Sequence, residues 1–334
     1  MKKVFTTTMV AASIALASFS VTASEFKPAV AYDTAGKFDK SFNQAVFDDG
    51  VTAFTKATGI QFREYTPSND TQREQGLEQL ARRGFSPIIV VGFNYSAALA
   101  KVAPQYSNID FVIIDSVVEG ENIKSMVFAE HEGAFLVGAL AALNSKTNTV
   151  GFVGGMDIPL IRKFACGYEQ GAKYVNNDIT VLQNMIGSTP AAFSDLVRGT
   201  ELAKAQFSRG VDVVFAAAGG AGNGVYQAAQ DEGKFAIGVD SNQNYLHPGV
   251  MLTSMVKRVG HMSYSMLEAY QAGEFTAGIE VNGLANGGVT WALDDDNRAV
   301  VSAEHEAQVN AIAAKIIAGE VVVHDYLQSG SCQY

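Results

Sequence analysis

Carboxylates, amides and bare glycine backbone recur at one kind of place in this 334-residue chain, directly after short apolar runs. Asp33 follows the run at 28–32 and opens a polar stretch through Asp39, Ser41, Phe42 and Asn43. Asp115 closes 111–115, the glycine-rich 219–224 follows 211–216, Asp240 closes 235–240 and Lys257 follows 251–256. Such a set could accept hydrogen bonds from hydroxyls and amines, offer an aromatic face, and let a neutral ligand approach glycine backbone closely. Each member also has a plainer reading. Taken singly, Asp33, Asp115 and Asp240 cap helices at strand-to-helix turns, Phe42 and Phe193 fill core, and Lys257 is a surface cation.

Several chemistries are poorly served. The glycine run around Gly219 and Gly222 does not complete a dinucleotide fingerprint, because Val225 stands where the last glycine belongs, and it lacks the Lys-Ser/Thr ending of a phosphate loop. Neither the serine-elbow nor the helical zinc-protease motif occurs. The Glu-His-Glu triplets at 130–132 and 304–306 read as solvated helix N-termini rather than metal sites. No cofactor is expected. A hydrolase using the aspartates with a cation is the rival of a different class; its weakness is that only Asp33 and Asp39 lie near the first strand. The chain carries 34 acidic and 24 basic residues, a formal charge of −10, which argues against nucleic acid and anionic membrane surfaces as partners.

Apolar runs at 28–32, 87–91, 111–115, 150–154, 211–216, 235–240 and 251–256 alternate with helical patterns, one of them over 42–54. Continuous apolar strands joined by helices predict parallel sheets covered on both faces, an α/β doubly wound architecture. The strand–helix series restarts near Val150 after an amphipathic segment at 133–144, so two similar lobes joined by a hinge are expected. Later elements (a helix at 259–270, strands at 279–281 and 289–293, a helix at 304–317 and a strand at 321–326) complete the two sheets. The expected lobes are 24–128 with 258–281, and 129–257 with 282–334.

Residues 1–23 read as a signal peptide: Lys2 and Lys3, an apolar stretch, and a small-x-Ala site at Ala23. No cysteine lies near the cleavage site, so a soluble periplasmic protein without a lipid anchor or membrane insertion is expected. In that oxidising compartment a bond between Cys166 and Cys332 is permitted; the alternative is two free thiols.

The segments DKSFNQAVFDDG (39–50), VGFVGGMDIPLIRKFACGYEQGAKYVN (150–176), VDVVFAAAGGAGNGV (211–225), AIGVDSNQ (236–243) and MLTSMVKRV (251–259) resemble the basic membrane protein family of bacterial solute-binding proteins. The resemblance spans essentially the whole chain after residue 23. It implies a type I periplasmic binding protein fold and a non-enzymatic, monomeric receptor that hands a purine nucleoside to an ABC permease. By that resemblance Phe42 and Phe193 stack on the two faces of the base, and Asp33, Asn43 and Asp115 address its edge. Asp240 takes the ribose hydroxyls, with Ser41 in the same DKSFN segment and Gly219, Gly222 and Lys257 close to the sugar. Many members of the family are lipoproteins, from which this chain departs. A sugar or other small polar solute is the alternative ligand.

Overall fold

The computed structural model describes residues 26–333; the expected leader lies outside the described residues. Two six-stranded sheets form the frame. The first runs β11 (Gly278–Asn282), β5 (Ile123–Phe128), β4 (Phe111–Ile114), β3 (Ile88–Val91), β1 (Ala29–Ala31), β2 (Arg63–Tyr65), with every pair parallel. The second runs β12 (Val289–Trp291), β10 (Met251–Lys257), β9 (Phe235–Asp240), β8 (Val213–Ala217), β6 (Thr149–Met156), β7 (Thr180–Gly187), parallel except for β10 with β12. The chain therefore passes between the sheets three times: after β5, after β10 and after β11.

Alternation along the strands decides which core each side chain enters. Val30, Ile89, Val91, Val112 and Ile114 point into a core shared with Val213, Phe215, Ile237 and Val239 of the second sheet. Their neighbours Ala29, Ala31, Ile88, Val90, Phe111 and Ile113 fill a separate core on the other face of the first sheet. Val153, Val214, Ala216 and Ala236 do the same for the second sheet. Continuous apolar strands are thus buried on both faces.

The covering helices are α1 (Phe42–Ala45), α2 (Ala53–Thr58), α3 (Asp70–Arg82), α4 (Ser96–Val102), α5 (Glu130–Asn144), α6 (Pro159–Val175), α7 (Leu196–Phe207), α8 (Gly222–Asp231), α9 (Val259–Gln271), α10 (Ala303–Ile317) and α11 (Tyr326–Ser329). Three expectations are corrected. The pattern at 42–54 is not one α-helix: Val46–Thr52 is π-helical, and Gly50 there faces Gly260 of α9 at a contact too close for larger side chains. Residues 133–144 are not amphipathic; α5 is buried almost all round, because Gly138, Gly167 and Gly171 let it press backbone-to-backbone on α6. Residues 321–326 form no strand but an irregular segment leading into α11. Strands β2, β5 and β7 were not expected; β2 and β7 are sheet edges with mixed exposure, which blurs the apolar signal.

The irregular segment is strapped along α6. Gln170 donates to the His324 carbonyl at 2.9 Å and accepts from its amide at 2.8 Å, and the Cys166 and Cys332 sulfurs are bonded with Cα atoms 5.2 Å apart.

Candidate functional site

A cavity of about 140 Å³ lies between the sheets, at the carboxyl ends of their strands. Asp33 follows β1, Gly92 and Phe93 follow β3, Asp115 follows β4, Gly219 and Gly220 follow β8, Asp240 ends β9 and Lys257 ends β10; all line it. Phe42 and Asn43 enter from α1, Leu160, Ile161 and Phe164 from α6, and Phe193 from the turn before α7. Parallel strands must turn sharply at that edge to reach their helices. Asp115 (φ 70°) and Asp240 (φ 68°) adopt the left-handed conformation, and so does Lys40 (φ 57°) in the facing loop. Aspartate tolerates this region better than most residues, and such outliers cluster at functional sites.

Two aromatic rings rest on glycine. Phe42 packs over Gly92, and Phe193 over Gly155 and Gly219, where a methyl group on Gly155 would collide with the Phe193 ring. Phe42 belongs to the elements of the first sheet and Phe193 to those of the second, so the cavity has an aromatic wall from each side.

The carboxylates fall into two groups. Asp33 is paired within its own half: it accepts from Arg73 at 2.9 Å and from Asn94 at 2.8 Å, while its amide donates to Asn43 Oδ1 at 2.9 Å. Asn43 Nδ2 donates to Asp39, which also accepts from the backbone amides of Ser41, Asn43 and Gln44 and thereby caps α1. The second group surrounds Lys257, which is 1% exposed. Its ammonium meets Asp115 at 2.5 Å and Glu130 at 2.9 Å, and lies 5.2 Å from the centre of the Phe42 ring. Glu130 also pairs with Lys163 at 2.9 Å, and Lys163 with Asp325 at 3.4 Å. Asp240 accepts from the Ser41 hydroxyl at 2.6 Å.

Burial works against charge throughout this second group. It pushes Asp115 up to about 6, with Lys257 opposing and Glu130 adding to the rise. It raises Asp240 too, against Lys257 and the Ser41 hydrogen bond. At Glu130 burial raises the pKa, but two ammonium groups, Lys257 and Lys163, outweigh it and hold the carboxyl near 2. Lys257 is held protonated despite burial by Asp115, Glu130 and Asp240.

Eight of the ten residues named from the sequence line the cavity: Asp33, Phe42, Asn43, Asp115, Phe193, Gly219, Asp240 and Lys257. Ser41 is buried behind Asp240, and Gly222 faces the Tyr226 hydroxyl at the start of α8 instead of the cavity. Two expectations are corrected. Lys257 is no surface cation, and Glu130-His131 is no solvated helix start: Glu130 is buried, and burial together with Lys163 lowers His131 to about 4. Sequence reasoning missed Phe93 and Asn94, although the strand-end rule applied to 87–91 points straight at them. It also missed Glu130 and Lys163, whose pairing across α5 and α6 has no local signature. Among the described residues no group of three or more His, Cys, Asp or Glu could hold a metal ion, and no helix is long and apolar enough to cross a membrane.

Fold and site together define a two-lobed α/β binding protein with its cavity at the strand ends between the lobes. The family model for ABC transporter substrate-binding proteins that are PnrA-like, Bmp, matches residues 27–326, and the chain belongs to that family. It is 35% identical over 305 residues to basic membrane protein A of Borreliella afzelii, covering 89% of this chain and 91% of the relative. It is 32% identical over 318 residues to the ABC transporter nucleoside-binding protein BmpA of Lactococcus lactis subsp. cremoris, covering 87% and 88%. A crystal structure of an ABC transporter solute-binding protein from Aeropyrum pernix superposes with a TM-score of 0.81 at 26% identity, covering 90% of this chain and 94% of that one.

Proposed function

We propose that the cavity captures a purine nucleoside between the two lobes and that the protein delivers it, without chemistry, to an ABC import permease. The observation that carries this reading is the pairing of Phe42 and Phe193, one from each half, in a single cavity that also holds Asp240. A base has two apolar faces and a polar edge. Stacking contributes roughly 1–3 kcal/mol per face and draws the halves together. The edge meets Asp33, Asn43 and Asp115; Asp240 accepts from the vicinal hydroxyls of the ribose, each charge-assisted bond contributing roughly 1.5–3 kcal/mol. Before ordering costs, those contributions are of the scale of the roughly −8 kcal/mol of a micromolar complex.

The charge distribution favours a nucleoside over a nucleotide. Lys257 lies beside Asp115 and Glu130, while Asp33, Asp39, Asp115 and Asp240 line the same cavity, so a phosphate would meet carboxylates. The Lactococcus relative is named as nucleoside-binding, which agrees with this reading. The lobes proposed are 24–128 with 258–281 and 129–257 with 282–334; a leader at 1–23 exports the chain to the periplasm as a monomer.

Isothermal calorimetry with inosine, guanosine, adenosine, ribose, galactose and inosine monophosphate tests the ligand. Saturable binding of at least one nucleoside and of neither sugar nor nucleotide is expected; binding of a sugar alone overturns the assignment. Chromatography of the nucleoside after long incubation should return it intact, and steady release of free base would show a hydrolase.

A further inference from the structure

The segment after β9 reaches across to the loop before α1 through a side chain that serves neither core nor cavity. Gln243 is buried, and its Nε2 donates to the backbone carbonyl of Lys40 at 2.6 Å. Its amide orientation is fixed by its own half: the Val239 amide and the Tyr226 hydroxyl both lie 2.8 Å from Oε1. A backbone N–H can only donate, so that atom is the oxygen and the NH₂ must face Lys40. Gly238 is the floor for this arrangement, since a methyl group there would stand 2.7 Å from Gln243 Oε1. On the other side, the left-handed backbone of Lys40 accompanies the turned carbonyl, and Asp39 and Gln44 anchor the loop to α1. The neighbouring bond from Ser41 to Asp240 crosses the same boundary.

We propose that Gln243 is a positioning residue for ligand capture, a latch whose amide holds the Lys40 carbonyl and so stabilises the closed arrangement of the lobes before and after the ligand enters. The proposal rests on the reading of the cavity as a capture site between lobes that move. It places the closing contact outside the cavity, so that closure does not depend wholly on ligand contacts. In a two-state opening, such a bond shifts the population by its own free energy and slows release by the same factor.

Gln243→Glu tests it selectively. The glutamate keeps an oxygen for Val239 and Tyr226 but turns an acceptor toward the Lys40 carbonyl. At pH 8 nucleoside dissociation, followed by stopped flow, should be about tenfold faster with association unchanged, the value of one hydrogen bond lost at closure. As pH falls toward 5 the glutamate takes up a proton, regains a donor, and the defect relative to wild type should shrink. Wild type at each pH is the reference for the titration of the facing groups Asp39, Asp240, Tyr226 and Lys257. A merely structural defect would not recover in acid. Equal dissociation rates at pH 8, or a defect that does not depend on pH, overturn the latch.

A second readout needs no ligand. The ligand-free small-angle scattering profile of Gln243→Glu at pH 8 should be more open than that of wild type, and identical profiles overturn the proposal. If no nucleoside binds, the ligand assignment fails, while the ligand-free comparison still decides the latch.

Discussion

The Asp33 end and the Lys257 end of the cavity both present carboxylates, yet they are built differently. Asp33 is partly exposed and draws Arg73, Asn94 and the Asn43 side chain from its own half of the molecule. Those partners do not depend on the second sheet. At the other end Asp115 comes from the first sheet while Lys257 and Asp240 come from the second, and all are nearly inaccessible. Charge pairing there is also lobe pairing. On the proposed function, geometry set within one lobe would give a fixed template for a ligand edge, and geometry shared between lobes would couple binding to closure.

The largest expected effect comes from breaking the shared end at its cation. Lys257→Met leaves Asp115, Glu130 and Asp240 beside one another in a buried site, and loss of one partner of a buried ion pair costs roughly 3–5 kcal/mol. Thermal melting without ligand should show a large drop. Arg73→Met at the other end should cost much less, because Asp33 keeps Asn94 and solvent; equal losses would erase the distinction drawn between the ends.

Next in size is Asp240→Ala. Nucleoside affinity should fall about a hundredfold or more, from the charge-assisted hydrogen bonds given up. Because burial already disfavours the Asp240 charge, the melting temperature without ligand should fall only slightly, by the strain of alanine at φ 68° and the loss of the Ser41 bond. A collapse of the unliganded protein would make Asp240 structural.

Phe42→Ala should weaken binding by roughly tenfold or more, one lost stacking face. Folding should be far less affected, since the ring packs on Gly92 at the cavity wall. Unaltered affinity would return Phe42 to the core.

The smallest effect is a pH dependence. The folded state holds Asp115 at about 6, above the ordinary value of 3.8, so its proton stabilises the fold below the ordinary value, and that contribution is lost as pH rises through about 6. Asp240 acts in the same direction. Glu130, held near 2, contributes stability above its ordinary 4.5 that is lost only as pH falls toward 2. As pH drops from 7 to 5, Asp115 and Asp240 therefore add stability while His131, held near 4, gives stability up because the unfolded chain takes the proton there. Asp115→Asn removes the Asp115 part, so the melting temperature of the variant should fall relative to wild type over that range. Identical slopes would contradict the assignment.

Much of the frame was legible because parallel strands buried on both faces write themselves as unbroken apolar runs, and because residues lining a cavity at the strand ends must follow those runs. That rule marked Asp115, Asp240 and Lys257 as candidates, although each taken singly read as a cap or a surface cation, and all three line the cavity. What stayed hidden depends on contacts between distant segments. The burial of Glu130 follows from α5 pressing on α6 through Gly138, Gly167 and Gly171, which no local pattern announces. The π-helical turn at Val46–Thr52 reflects the close meeting of Gly50 with Gly260. Gln243 looks like an ordinary polar residue until Lys40, far away in sequence, is placed against it.

The most direct measurement is native mass spectrometry of the protein as purified from its native source, with fragmentation of whatever is released. A bound species with the mass and base fragment of a purine nucleoside is the predicted result. A bound sugar, or a nucleotide carrying its phosphate, would contradict the account.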